Sequence, residues 1–113
     1  MGDINNIRLK DYNSFFQSDL YIVFGTSFIK GEILNFLKRN KAINLHMGLS
    51  PYYRGTDCNF WAIYDNNREM VGATTHYINE ILDGGKILYT TKTLKYDNPF
   101  KFTMSAAKLA IDM

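Results

Sequence analysis

A chain of 113 residues holds one domain and is short for a complete enzyme. Hydrophobic residues make up 46% and charged residues 21%, which excludes a disordered or fibrous protein. A net charge of +2, spread along the chain, does not mark a nucleic-acid binder. The single cysteine, Cys58, excludes an internal disulfide and suits a reducing compartment. No apolar run approaches the ~20 residues of a membrane span. Met1 to Asn6 lacks the apolar core of a signal peptide. Met1-Gly2 opens like a myristoylation site, but Asn6 stands where that signal carries Ser or Thr. A soluble, cytoplasmic protein without a membrane partner is expected.

Nothing before Leu20 reads clearly as a strand, although Ile4 to Leu9 is a candidate. Leu20 to Gly25 is an unbroken apolar run closed by glycine, the pattern of a strand buried on both faces. Ile29, Ile33, Phe36 and Leu37 follow at the spacing of one helix face. Lys38 and Arg39 suit the helix C-terminus, and Asn40 is expected to leave it in a left-handed conformation. Ala42 to His46 is a second strand, so the unit is βαβ and its strands should be parallel.

Residues 47–55 are a loop punctuated by Ser50-Pro51 and Arg54-Gly55. Thr56 is the expected N-cap of the next helix, with Phe60, Trp61 and Tyr64 as its apolar side. Asp65-Asn66-Asn67 ends it. Val71 to Ile78 and Lys86 to Leu94 read as strands, joined through Asn79 to Gly85. Asn98-Pro99 is a helix start, and Phe100, Met104, Ala107 and Ile111 are the expected buried stripe. A parallel strand pair needs cover on both faces. The chain is therefore expected either to be part of a larger domain or to be completed by a partner chain, with little activity by itself.

Residues two apart in a strand share a face, so Asn44 and His46 project side by side near the C-terminal end of a parallel strand. Ligands bind at that end of open α/β sheets. Asn offers a neutral donor, and His a proton carrier. Asp83, in a glycine-flanked loop, is the candidate to orient the imidazole. Each of these residues also has an ordinary reading as a turn or packing group. A metal triad of His46, His76 and Asp83 is not expected, because no close His/Cys spacing is present; His76 reads as packing. Cys58 reads as a small buried apolar group. Trp61 is assigned to packing, and Tyr52 and Tyr53 to packing or substrate stacking. Lys86, Lys92, Lys95, Lys101 and Lys108 read as a solvated face.

Read together, Asn44-Leu45-His46-Met47-Gly48-Leu49-Ser50-Pro51-Tyr52-Tyr53-Arg54-Gly55, Trp61-Ala62-Ile63, Gly72-Ala73-Thr74-Thr75-His76 and Leu82-Asp83-Gly84-Gly85-Lys86-Ile87-Leu88 resemble the folate-dependent formyltransferase family. That family carries an Asn-x-His-x-Ser-Leu-Leu-Pro-x-x-Arg-Gly segment and a later Leu-Asp-x-Gly-x-Ile-Leu segment. Here Met47 replaces the usual Pro, Gly48 the usual Ser and Ser50 the second Leu. The resemblance runs from about Ser18 to Ile111. It implies an α/β, Rossmann-like formyltransferase fold, partial, with a mixed and mostly parallel sheet flanked by helices. Residues 1–113 would form one partial catalytic domain, with 1–18 a poorly defined lead-in.

The implied activity is transfer of a formyl group from the co-substrate 10-formyltetrahydrofolate to the amino group of an acceptor. That acceptor is a small amine, an amino sugar being favoured over a methionyl-tRNA-like acceptor, and a nucleic-acid partner is not expected. Formyltetrahydrofolate hydrolysis and a non-catalytic binding or scaffold role are the alternatives. The resemblance implies Asn44, His46 and Asp83 as catalytic residues. It implies folate contacts at Thr26, Ser27, Phe28, Ile29, Ile78, Asn79, Glu80 and Leu82, and acceptor contacts at Gly48, Ser50 and Arg54. No metal is implied, and a homo-oligomer is left open.

Overall fold

The computed structural model describes residues 3–93 and 97–112, with the backbone alone at 13–16. The expected strand end at Leu94 and the basic residue Lys95 lie outside these residues. Ile4–Asn6 and Leu9–Phe16 form 3-10 helices, so the candidate strand over Ile4 to Leu9 is not formed. Asp3 caps the first of them by accepting from the Asn5 N–H at 3.0 Å.

Four strands lie in sequence order in one sheet: β1 (Ile22–Phe24), β2 (Ile43–His46), β3 (Gly72–Tyr77) and β4 (Ile87–Lys92). β1 and β2 are parallel, joined by helix α1 (Gly31–Arg39), as the βαβ reading requires. β2–β3 and β3–β4 are antiparallel. The sheet is mixed and flanked by helices as expected, but its parallel share is one pairing of the three. The reason is geometric. The connection from His46 to Gly72 leaves and returns at the same end of the sheet, and so does the connection from Tyr77 to Ile87.

Helix α1 packs Ile33, Leu34 and Leu37 on the sheet, where they meet Val23, Ile29 and Ala42. Burial of this cluster drives the helix down, since each fully buried aliphatic side chain contributes about 1.5–3 kcal/mol. β1 is covered on this side only. Ile22 and Phe24 point outward and are more than half exposed, so the expectation of burial on both faces fails. Asn40 ends α1 with an ordinary negative φ, and Lys41 takes the left-handed turn at φ 51° instead.

Helix α2 (Cys58–Tyr64) is entered through Asp57 in a left-handed conformation (φ 54°), with no side-chain cap from it or from Thr56. Its buried residues are Cys58, Asn59 and Ala62. Phe60, Trp61 and Tyr64, the expected apolar side, pack on one another at the surface. Small residues let the helix approach its neighbours closely, and ring size was a poor guide to burial. Helix α3 (Pro99–Ile111) also turns inward a face other than the expected one. Asn98 caps it, its Oδ1 accepting from the Lys101 N–H at 3.1 Å. Its inner face is Phe102, Ala106, Ala107 and Ala110, whereas Phe100, Met104 and Ile111 are exposed. Phe102 closes a second core with Ala62 and Val71, and α3 covers β3 and β4. Among the described residues no helix is long and apolar enough to cross a membrane.

Candidate active site

Alternation along β2 puts Asn44 and His46 on one face. The antiparallel register sets His76 of β3 opposite Asn44 and Thr74 opposite His46. The loop after β3 then folds back over this face. Gly85 makes the fold possible: a Cβ there would lie 1.6 Å from the Tyr77 carbonyl oxygen. Asp83 sits in this loop with φ 45°, a left-handed conformation that Asp tolerates better than most residues. Three contacts hold it. Its Oδ2 accepts from the Gly55 N–H at 2.8 Å, its Oδ1 accepts from Asn44 Nδ2 at 3.0 Å, and its backbone carbonyl accepts from Ser50 Oγ at 2.9 Å.

Asn44, His46 and Asp83 are thus brought together. His46 Nδ1 lies 3.3 Å from Asp83 Oδ2, and His46 Nε2 donates to the Tyr53 carbonyl at 2.8 Å. A water-excluded environment strengthens these interactions: the His46 side chain is 5% exposed and that of Asp83 is 9%. Burial works against ionisation of Asp83. The His76 imidazole, the Gly55 N–H and the charge of His46 work for it, and the balance holds the carboxyl below its usual value. Burial, followed by the negative charges of Asp83 and Asp57, pushes the Cys58 thiol up to about 11. That thiol donates to the Gly55 carbonyl at 3.4 Å.

Gly48 lies behind the imidazole. A Cβ at this position would lie 2.6 Å from both the Cys58 Cβ and His46 Nε2, and 2.9 Å from the Tyr53 carbonyl oxygen. The space of a side chain at 48 is filled by Cys58 and by the His46–Tyr53 contact. Among the described residues no cluster of His, Cys, Asp and Glu is arranged to hold a metal.

Asn44, His46, His76 and Asp83 line a cavity of about 640 Å³, within the usual range for small-molecule sites. Of the positions matched to folate contacts, Thr26, Ser27, Phe28, Ile29, Ile78, Asn79 and Leu82 line it. Glu80 does not; its carboxylate pairs with Lys38 on the surface. Of the positions matched to acceptor contacts, none lines this cavity. Gly48 packs beneath the imidazole, Ser50 holds the Asp83 loop, and Arg54 is exposed.

A profile described as "Formyl transferase" matches residues 7–98. The chain belongs to the formyl transferase family. Among curated formyltransferase relatives, a methionyl-tRNA formyltransferase of Thermodesulfovibrio yellowstonii is 40% identical, covering 78% of this chain and 27% of that protein. A GDP-perosamine N-formyltransferase of Brucella melitensis is 28% identical over 94% of this chain and 40% of its own. Formyltetrahydrofolate deformylase 2, mitochondrial, of Arabidopsis thaliana is 36% identical over 69% of this chain and 26% of its own. The formyltransferase PseJ from Anoxybacillus kamchatkensis was solved with UDP-4,6-dideoxy-4-formamido-L-AltNAc and tetrahydrofolate. It superposes with a TM-score of 0.70 at 25% identity, over 98% of this chain and 61% of that one. The chain therefore spans between about a quarter and two fifths of the length of these curated relatives.

Sequence reasoning missed one polar member of this cluster. His76, read as packing, places Nε2 3.1 Å from Asn44 Nδ2 and 3.6 Å from Asp83 Oδ1. The signal was available in part, because Thr74 and His76 share one face of an alternating strand. The register that sets that face against Asn44 is not written in the local sequence.

Proposed function

We propose that this chain carries the catalytic centre for transfer of a formyl group from 10-formyltetrahydrofolate to the amine of an amino sugar. The observation that carries the reading is the meeting of Asn44, His46 and Asp83 at the wall of a cavity large enough for a flat heterocycle. In this reading the apolar walls formed by Val23, Phe28, Ile29, Ile78 and Leu82 take the pterin end of the folate. Thr26, Ser27 and Asn79 supply polar contacts.

The chemistry is acyl transfer. The amine nitrogen attacks the formyl carbon, the bond from that carbon to the folate nitrogen breaks, and the amine proton ends on the leaving nitrogen. Negative charge develops on the formyl oxygen, where one well-placed donor contributes about 3–4 kcal/mol. In the proposed roles Asn44 and His46 act at that oxygen, and Asp83 orients His46 and receives or relays the proton. Amino-sugar acceptance is supported by two relatives that match along 94% and 98% of this chain, one named for GDP-perosamine and one solved with a formamido sugar nucleotide.

A second reading is hydrolysis, in which water replaces the amine. The deformylase relative favours it. Incubating the chain with 10-formyltetrahydrofolate, with and without a nucleotide-linked amino sugar, separates the two. Formamide formation that requires the sugar supports transfer; formate release at the same rate without it supports hydrolysis. Wild-type rates in Asn44→Ala, His46→Ala and Asp83→Ala together refute both.

A further inference from the structure

We infer that His76 is a positioning residue for Asn44: it holds one of the two amide hydrogens and so, together with Asp83, fixes which end of that amide meets a ligand in the cavity. The assignment follows from obligate donors and acceptors. The Tyr77 carbonyl can only accept, and His76 Nδ1 lies 2.8 Å from it, so Nδ1 carries the proton. In the neutral ring Nε2 is then an acceptor. The Asp83 carboxylate also only accepts, so the Asn44 atom 3.0 Å from Oδ1 is Nδ2 rather than Oδ1. Its second hydrogen points at His76 Nε2, 3.1 Å away. A carboxylate has no hydrogen to give, so Asp83 Oδ1, 3.6 Å from Nε2, is no rival donor to the neutral ring; only the protonated ring favours that carboxylate's ionisation.

Both hydrogens of Asn44 are therefore directed inward. Its Oδ1 receives no hydrogen bond from the described residues, and Asn44 lines the cavity. The His76 side chain is 3% exposed, so water does not compete for Nε2. The charged groups facing His76 are Asp83 from the loop after β3 and His46 from β2, whose ring centre lies 6.5 Å away. The catalytic consequence rests on the formyl-transfer reading. An amide held this way offers an acceptor to an incoming amine. It offers a donor to the developing oxyanion only when one hydrogen leaves His76 or Asp83.

The test reads the hydrogen bond directly, in the full chain labelled with ¹⁵N at neutral pH. Long-range ¹H–¹⁵N correlation is expected to show His76 as the Nδ1–H tautomer. His76→Phe removes the acceptor. One Asn44 side-chain proton should then exchange with solvent about fivefold faster, the loss of one ordinary hydrogen bond. His76→Gln, which keeps an acceptor, should restore most of the protection. In the transfer assay His76→Phe should lower kcat while leaving the KM for the folate unchanged, with partial rescue by Gln. An Nε2–H tautomer in the wild-type chain overturns the inference. So do unchanged Asn44 signals in His76→Phe. If that variant does not fold, the wild-type tautomer decides the question. If the wild-type chain transfers no formyl group, the tautomer and exchange results still stand, so the two readings fail separately.

Discussion

Replacing Gly48 by alanine drives a methyl group into the back of the proposed catalytic centre. The new carbon would lie 2.6 Å from the Cys58 Cβ, 2.6 Å from His46 Nε2 and 2.9 Å from the Tyr53 carbonyl oxygen, where ordinary contact begins near 3.4 Å. The imidazole and the first turn of α2 must retreat by most of an ångström, or loop 47–55 must lift. Overpacking of this kind costs about 1–3 kcal/mol. The His46–Tyr53 hydrogen bond, squeezed from its open side, adds about 1 kcal/mol when lost. A total of about 2–4 kcal/mol is expected in urea unfolding. A ring displaced by about 1 Å should also lower the formyl-transfer rate by up to about 10²-fold. Cys58→Gly removes one of the three clashing atoms. In the double variant the Gly48→Ala penalty should shrink by about 1 kcal/mol or more, a coupling typical of residues in contact. Gly48→Ser, which installs the residue usual in the family's motif, should behave like alanine here because Cys58 occupies the space. Unfolding of Gly48→Ala within about 0.5 kcal/mol of wild type, with no coupling to position 58, refutes this packing argument.

Three further outcomes follow from contacts already described. The Cys58 thiol, pushed from 9.0 to about 11, should react with iodoacetamide at least roughly tenfold more slowly near neutral pH than an unperturbed thiol; a rate equal to that of a small free thiol contradicts it. The Asp83 carboxyl is held below its usual 3.8 in the folded state, so its ionisation stabilises the fold above that pH, and the contribution is lost as pH falls through the lower folded value. Acid titration of unfolding should show this loss in wild type and not in Asp83→Asn; parallel curves refute it. Asn98→Ala removes the cap of α3 and should lower stability by about 0.5–2 kcal/mol in thermal unfolding, with no change at the catalytic face; an unchanged melting temperature refutes it.

The parts of the fold legible in the sequence are those fixed by short-range pattern. The βαβ unit is visible because apolar runs and a helical period alternate within residues 20–46. The pairing of Asn44 with His46 is visible because strand period alone sets it. The Asn98 cap and Pro99 announce α3. What was not legible depends on which neighbour an element meets. Phe60, Trp61 and Tyr64 of α2 and Phe100 of α3 read as core, yet the packing falls to Cys58, Asn59 and Ala62 of α2 and to Phe102 and the alanines of α3. Asp57, not Thr56, turns the chain into α2, because a left-handed residue is needed there. Asp83 in its glycine-flanked loop is visible as a partner for His46, but the contacts with Gly55 and Asn44 that hold it are not. The meeting of His76 with Asn44 depends on an antiparallel register that no local pattern encodes.

The most direct measurement is a titration of the ¹⁵N-labelled chain with a non-transferable analogue of 10-formyltetrahydrofolate, followed by amide and imidazole shifts. Saturable changes at Thr26 to Ile29, at the Asn44 side-chain amide and at the His46 ring, weakened by Asp83→Asn, are the expected result. Saturable binding whose changes fall elsewhere, in the cleft between Tyr52 and Lys92 for example, or no binding at millimolar analogue, contradicts the placement of formyl transfer at Asn44, His46 and Asp83.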